Sequence, residues 1–314
     1  MRTFRELRAG SAAPHVALIA VQLMFGTWPI FGKIALRVLP STGLVALRVA
    51  GATAAFLILQ RTLGQAQKIR RKDYALMALY SLLGVVLNQF LFVKGLSLTT
   101  VINATLLGTT IPVFTLLVSI TLGFDRISFR KALGITLAAG GVVYLLYPER
   151  NFASDTAYGN LLIVLNSISY GAYIAISKEM LRRYGALTVI TWIFIFGSIA
   201  TIPVGGYALA GSPLQDAGLG VWLAVLYIIL IPTVGAYYLN AWALARVEPS
   251  TVAVYIYLQP LIAFALAPLI LNEKWNSRTW LASALIFSGV AVVTWRVRSH
   301  ALEEVSEHPE ALSH

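Results

Sequence analysis

Apolar residues in this chain come in runs of about 18–25, the length that crosses a hydrocarbon core of ~30 Å as a helix. Ten runs are separated by short polar stretches. Their approximate limits are 15–38, 43–60, 73–94, 99–123, 129–147, 158–178, 187–209, 219–245, 249–272 and 277–296. The pattern predicts an all-α membrane protein of ten transmembrane helices. The longest basic connection is 61–72, with Arg61, Lys68, Arg70, Arg71 and Lys72. The tail after Arg298 is polar and acidic, with Glu303, Glu304, Glu307 and Glu310, and is expected to be disordered.

Composition agrees. Of 314 residues 58% are hydrophobic and 12% charged, against roughly 25% charged in a soluble domain. Mean hydropathy is +0.76. No stretch between the runs could bury a soluble core. Cysteine is absent, which removes thiolate chemistry and Cys-based metal sites. Of the four histidines, His15, His300, His308 and His314, three lie in the tail; a His-based metal centre or intramembrane enzyme is not expected, nor is any cofactor. The first run has no convincing cleavage site and reads as a span rather than a leader.

The net charge of +11 would suggest nucleic acid in a soluble protein. Here loop positions account for it, and no nucleic-acid partner is expected. With the N-terminus inside, the inside segments hold 17 Lys and Arg and the outside loops 6, with Arg48 left within a span. Basic residues collect on the cytoplasmic side of a membrane. The bias supports ten spans and cytoplasmic termini. Short loops suggest a bacterial inner membrane.

The chain also matches itself. At a shift of 148 residues Leu96 falls on Leu244, Pro112 on Pro260, Asp125 on Glu273, Arg126 on Lys274, Arg130 on Arg278, Leu133 on Leu281 and Gly141 on Gly289. At a shift of 145, Gly26 falls on Gly171, Trp28 on Tyr173 and Lys33 on Lys178. Each half has five spans, an odd number, so the second half enters the membrane from the opposite side. The fold expected is therefore two inverted five-helix repeats, the arrangement that supports alternating access. The predicted organisation is an N-terminal cytoplasmic segment 1–14, a first repeat 15–147, a linker 148–157, a second repeat 158–297 and a tail 298–314.

The run Gly-Thr-Trp-Pro-Ile-Phe-Gly-Lys (26–33) and the Arg48 context Ala-Leu-Arg-Val-Ala resemble the first two helices of the drug/metabolite transporter superfamily, EamA branch. The closing module resembles it most: Pro260, an apolar run to Leu-Asn-Glu-Lys (271–274), and a helix ending in Gly289, repeated as Pro112, Phe-Asp-Arg (124–126) and Gly-Gly (140–141). Asp125 departs conservatively from the usual Glu. The resemblance covers about 15–297. It implies a ten-helix metabolite transporter, often an exporter of amino acids or related compounds.

Polar side chains within a bilayer are costly unless paired or facing a cavity. The candidate substrate-binding residues are Trp28, Asn88, Asn103, Thr110, Tyr170, Tyr173, Tyr255 and Gln259. Asn103, Leu107 and Thr110 share one helix face and Tyr255 and Gln259 another; both faces are expected to meet at a central cavity. Interhelical hydrogen bonding would equally account for such residues. Pro112 and Pro260, mid-span at equivalent positions, should kink their helices and free a carbonyl, as hinges or as fixed bends. Arg48 either binds a substrate carboxylate, closes a gate or satisfies a neighbouring helix; the resemblance implies the last. Lys33 and Lys178, near opposite faces, are candidate gates or interfacial lysines. Asp125 and Glu273 are expected to organise a turn or cap the next helix.

No Asp or Glu lies deep in a span. A carboxylate proton relay is not apparent, and a cationic substrate would lack its partner. A neutral, zwitterionic or weakly anionic metabolite fits better, carried without ATP, since no phosphate-cradling Gly-rich motif is present. A sugar-phosphate or nucleotide-sugar exchanger would need more basic residues in the spans. A membrane-embedded enzyme would need convergent acid–base groups, and a sensor an output domain. The expected partners are a small-molecule substrate and the lipid bilayer, with the chain as a monomer or homodimer.

Overall fold

The computed structural model describes residues 4–64, 67–123, 128–146, 155–247, 249–273, 277, 279–289 and 291–292. Asp125, Arg126, Lys274, Arg278, most of the 148–157 linker and the 298–314 tail lie outside them. All regular structure among the described residues is helical. Eight helices are long and apolar enough to cross a membrane: α1 (Ala13–Ala35), α2 (Ser41–Thr62), α3 (Arg71–Leu98), α4 (Val101–Thr121), α6 (Thr156–Tyr184), α7 (Ala186–Ala210), α8 (Leu219–Leu244) and α9 (Thr251–Leu271). The fifth and tenth, α5 (Ala132–Tyr144) and α10 (Thr279–Gly289), are shorter apolar helices over their described parts.

Two ends differ from the pattern-based limits. Helix continues upstream of α1 to Phe4, so the predicted separate N-terminal segment is in part helical. The sixth helix runs on to Tyr184 instead of ending near Lys178. Its polar last turns, with Arg182 and Arg183, lower hydropathy without breaking the helix. Gly185 ends it, at φ +75°, a left-handed conformation that a side chain disfavours.

The outer face carries Ile58, Leu79, Leu165, Ile199, Val204, Leu223, Leu226, Leu261 and Leu269, all exposed. Such a continuous apolar exterior suits lipid rather than water. Inside, two clusters of buried side chains form the core. One centres on Phe56, Met77, Ile190 and Phe194, the other on Ile102, Leu106, Ala263 and Ile286.

Helix contacts repeat across the halves. Gly141 of α5 faces Ile286 and the Ala282 carbonyl of α10, while Gly289 of α10 faces the Gly134 carbonyl and the Ala138 amide of α5. Residues 134, 138 and 141 map onto 282, 286 and 289 by the 148-residue shift. Gly26 of α1 packs on Ile262, and Gly171 of α6 packs on Phe114 and the Ile111 carbonyl; 114 and 262 are again 148 apart. Small residues let helix backbones approach within a bilayer. Here they occupy equivalent crossings of two inverted five-helix repeats.

Irregular backbone repeats as well. Helix α3 is wound as a π-helix over Leu82–Leu87 and α8 over Ile229–Gly235. Helix α4 breaks between Gly108 and Ile111, just before Pro112. Helix α9 narrows to a 3-10 turn at Tyr255–Tyr257, just before Pro260. Each proline lacks an N–H, so the Gly108 and Ile256 carbonyls lose their ordinary i+4 donor. Wide helical turns of this kind cluster at functional sites.

Candidate functional site

Mid-bundle, between the halves, lies a cavity of about 60 Å³. Its wall combines the aromatic residues Phe25, Trp28, Phe92, Tyr170 and Tyr237 with the polar residues Arg48, Asn88, Gln89, Asn166 and Gln259. Helix α4 adds Ala104, Thr105, Gly108 and Ile111. Small-molecule sites usually enclose about 300–1,000 Å³. The cavity is contracted to a volume that suits a few waters.

Arg48 is fully buried, 2% exposed. Its Nε donates to Thr233 Oγ1 at 2.6 Å and its Nη1 to Gln89 Oε1 at 2.6 Å. Its guanidinium lies 4.0 Å from the centre of the Trp28 ring, a cation–π contact. Thr233 belongs to the π-segment of α8 and donates to the Ile228 carbonyl. The wide turn thus places a hydroxyl on the guanidinium.

The network continues in one direction. Gln89 Nε2 donates to the Tyr237 hydroxyl at 2.7 Å, and that hydroxyl donates to Asn88 Oδ1 at 2.9 Å. A guanidinium has only donors, so Arg48 fixes the orientation of Gln89 and makes Tyr237 an acceptor from it; the Tyr237 hydroxyl also lies 3.4 Å from the Gly84 carbonyl. Gln89 and Tyr237 are 148 residues apart. Their bond therefore joins equivalent positions of the two repeats and lies on the pseudo-two-fold axis. Nearby, Asn240 Nδ2 donates to the Tyr170 hydroxyl and Asn166 Nδ2 to the Asn88 carbonyl.

Of the predicted binding residues, the structure brings Trp28, Asn88, Tyr170 and Gln259 together at the cavity. It places the other four elsewhere. Asn103 turns back to Thr99. Thr110 is buried and donates to the Leu107 carbonyl. Tyr173 stacks on Tyr170 and fills the space beside Gly84. The Tyr255 hydroxyl meets His15 at 2.7 Å. The cavity face of α4 is thus Ala104, Thr105, Gly108 and Ile111, not the Asn103, Leu107 and Thr110 face. Spacing groups residues on a face but does not say which face points inward.

Among the gating candidates only Arg48 reaches the cavity. Lys33 and Lys178 are half-buried towards opposite ends. Lys33 lines a separate hollow with Arg37, Ser97 and Glu273. Glu273 caps α4: its oxygens accept from the Val101 and Ile102 amides at 2.8 and 3.0 Å. Four orphan amides and a positive dipole end favour a carboxylate there. At the same end Thr99 meets Asn160. At the opposite end Asp73 receives Arg70, Arg183 and the Tyr184 hydroxyl.

Gln89, Asn166 and Tyr237 stand out as polar residues within apolar runs, but only their partners reveal their place. The equivalence of 89 and 237 under the repeat is the signal that could have selected them. Phe25 and Phe92 carry no such signal.

Two inverted helical repeats with a polar cavity at their interface define a multi-pass membrane protein of the carrier type. The sequence comparison supplies the particular family. Residues 13–147 and 157–295 each match the EamA-like transporter family, and the chain belongs to it. It is 28% identical to an uncharacterized transporter of Archaeoglobus fulgidus, over 89% of this chain and 96% of that protein. It is 23% identical to the uncharacterized transporter YetK of Bacillus subtilis, over 88% and 86%. A WAT1-related protein of Arabidopsis thaliana is 25% identical over 95% and 86%. A solved crystal structure, 19% identical, shares the fold with a TM-score of 0.65 over 91% of this chain and 99% of its own. The protein is a membrane transporter and not an enzyme.

Proposed function

We propose that this transporter moves a small neutral, zwitterionic or weakly anionic metabolite, such as an amino acid, out of a bacterial cell by alternating access. The observation that carries the reading is the mid-bundle cavity, built by both repeats around the Gln89–Tyr237 bond. Inverted repeats can exchange conformations about such an axis. Substrate would bind at Trp28, Arg48, Asn88, Tyr170 and Gln259, with Pro112 and Pro260 bending the helices that open. The basic bias of the inside loops favours an inner-membrane orientation with both termini cytoplasmic.

Gly108 supplies the test. It lines the cavity, and a Cβ built there would meet nothing within 4 Å. Gly108→Leu should fold and block the site. In proteoliposomes preloaded with labelled amino acids, wild-type protein should give saturable efflux and Gly108→Leu none. Undiminished efflux through a folded Gly108→Leu would move the pathway elsewhere.

A further inference from the structure

We infer that Arg48 is the anchor for a carboxylate, so that the substrate is an amphipathic organic acid held by its carboxylate at Arg48 with its apolar body against the aromatic residues of the wall. This rests on the cavity being the transport site. Four observations lead to it.

The first is charge. Arg48 is buried mid-span, and its described partners, Thr233, Gln89 and Trp28, are all neutral. Among the described residues that line the cavity none is Asp or Glu. A buried cation without a counter-ion is costly, and a bound anion relieves that cost.

The second is capacity. A guanidinium has five N–H donors, and two are used in the described hydrogen bonds. The rest suit a carboxylate, which accepts two parallel N–H bonds from arginine.

The third is direction. Along Arg48→Gln89→Tyr237 the Tyr237 hydroxyl reaches Asn88 Oδ1 at 2.9 Å and the Gly84 carbonyl at 3.4 Å; at the shorter of the two the Asn88 oxygen is taken and its amide N–H groups remain to donate. Arg48 and Asn88 both line the cavity and both offer donors. Such donors suit the oxygens of a carboxylate.

The fourth is asymmetry. Gly51 of α2 packs on Ile229, and Gly197 of α7 packs on Val85 and Ser81; since 81 and 229 are equivalent, so are 51 and 197. Three residues before each glycine stand Arg48 and Phe194. Phe194 lies edge-on to Tyr237, ring centres 5.2 Å apart. The position that carries Arg48 in one repeat thus carries an aromatic ring in the other, so the guanidinium has no counterpart across the axis. The carboxylate is required and an ammonium is not.

The experiment measures the melting temperature of the purified full-length protein with 3-phenylpropionate, L-phenylalanine and the neutral isostere 3-phenylpropanamide. A ligand that binds only the folded state raises it. Both acids should raise it and the amide should not. Arg48→Gln should weaken the acid response at least about tenfold. Arg48→Lys should keep a reduced response, because charge remains while the planar fork is lost. Should Arg48→Gln fail to fold, the acid-against-amide comparison in wild-type protein still decides. An amide response equal to the acids, an acid response untouched by Arg48→Gln, or no response to either acid overturns the anchor. Gly108→Leu separates the two readings. An amide response that Gly108→Leu abolishes leaves the cavity standing and removes only the anchor. An acid response that survives in Gly108→Leu removes the cavity itself.

Discussion

Gly51 and Gly197 make the same contact from opposite halves, each letting its helix close on the start of a π-segment region, 81–85 in one repeat and 229 in the other. One turn earlier the halves part: α2 carries Arg48 where α7 carries Phe194. Asp73, bonded to Tyr184, Arg70 and Arg183, has Val221 as its 148-residue counterpart. Gln89 has Tyr237. Helix crossings are thus held in common, while charged and aromatic side chains differ. Exchange of shape between halves needs the first kind of likeness. Recognition of a substrate with two unlike ends needs the second kind of difference.

Variants can break the shared part most severely. A Cβ at Gly141 or Gly289 would press on the carbonyl or amide of the facing helix, and backbone cannot yield as a side chain can. Gly289→Val, which meets backbone first, should cost about 3 kcal/mol or more, and Gly141→Val, which meets the Ile286 side chain first, about 1–3 kcal/mol. Gly140→Val, where nothing lies within 4 Å, should remain folded. Thermal melts of the three variants check this; a loss in Gly140→Val as large as in the other two would contradict the claimed crossing.

The end-specific ties come next. Glu273→Ala leaves the first amides of α4 without their carboxylate and should cost about 1–2 kcal/mol, the range of a lost helix cap. Glu273→Gln, which keeps an acceptor, should lose less. Tyr237→Phe removes the hydroxyl that joins Gln89 to Asn88. Hydrogen bonds between membrane helices average about 0.6 kcal/mol with a maximum near 1.7, and the loss should fall there, with a larger effect on transport than on melting. The exposed Arg183–Glu179 pair at 3.3 Å should matter least: Glu179→Gln should change stability by about 0.3–0.5 kcal/mol.

Much of the fold was legible because bilayer thickness fixes span length and an odd repeat fixes inversion. The matched pairs Gly141/Gly289 and Pro112/Pro260 stand at crossings and breaks where duplication constrains the residue type. The π-segments were not legible. Pro232 sits inside one of them, but Leu82–Leu87 reads as ordinary apolar helix. The site was half legible. Asn88 and Gln259 stood out as amides in apolar runs, yet so did Asn103, whose amide turns back towards Thr99, 3.5 Å away. Tyr255 shares the helix of Gln259 but meets His15 near the bundle end. Polarity within a span marks a residue that needs a partner; whether that partner is a helix or a ligand depends on how the helix is rotated, and hydropathy does not encode rotation.

The chain has no cysteine, so a single introduced thiol reports without background. Thr105 lines the cavity. In Thr105→Cys, reaction with a membrane-impermeant thiol reagent should be measured in vesicles of each orientation. Alternating access predicts labelling from both sides, with either side suppressed when a transported metabolite is held in excess. Labelling from one side alone, in both orientations and with or without metabolite, would contradict a cavity that opens alternately to the two faces of the membrane.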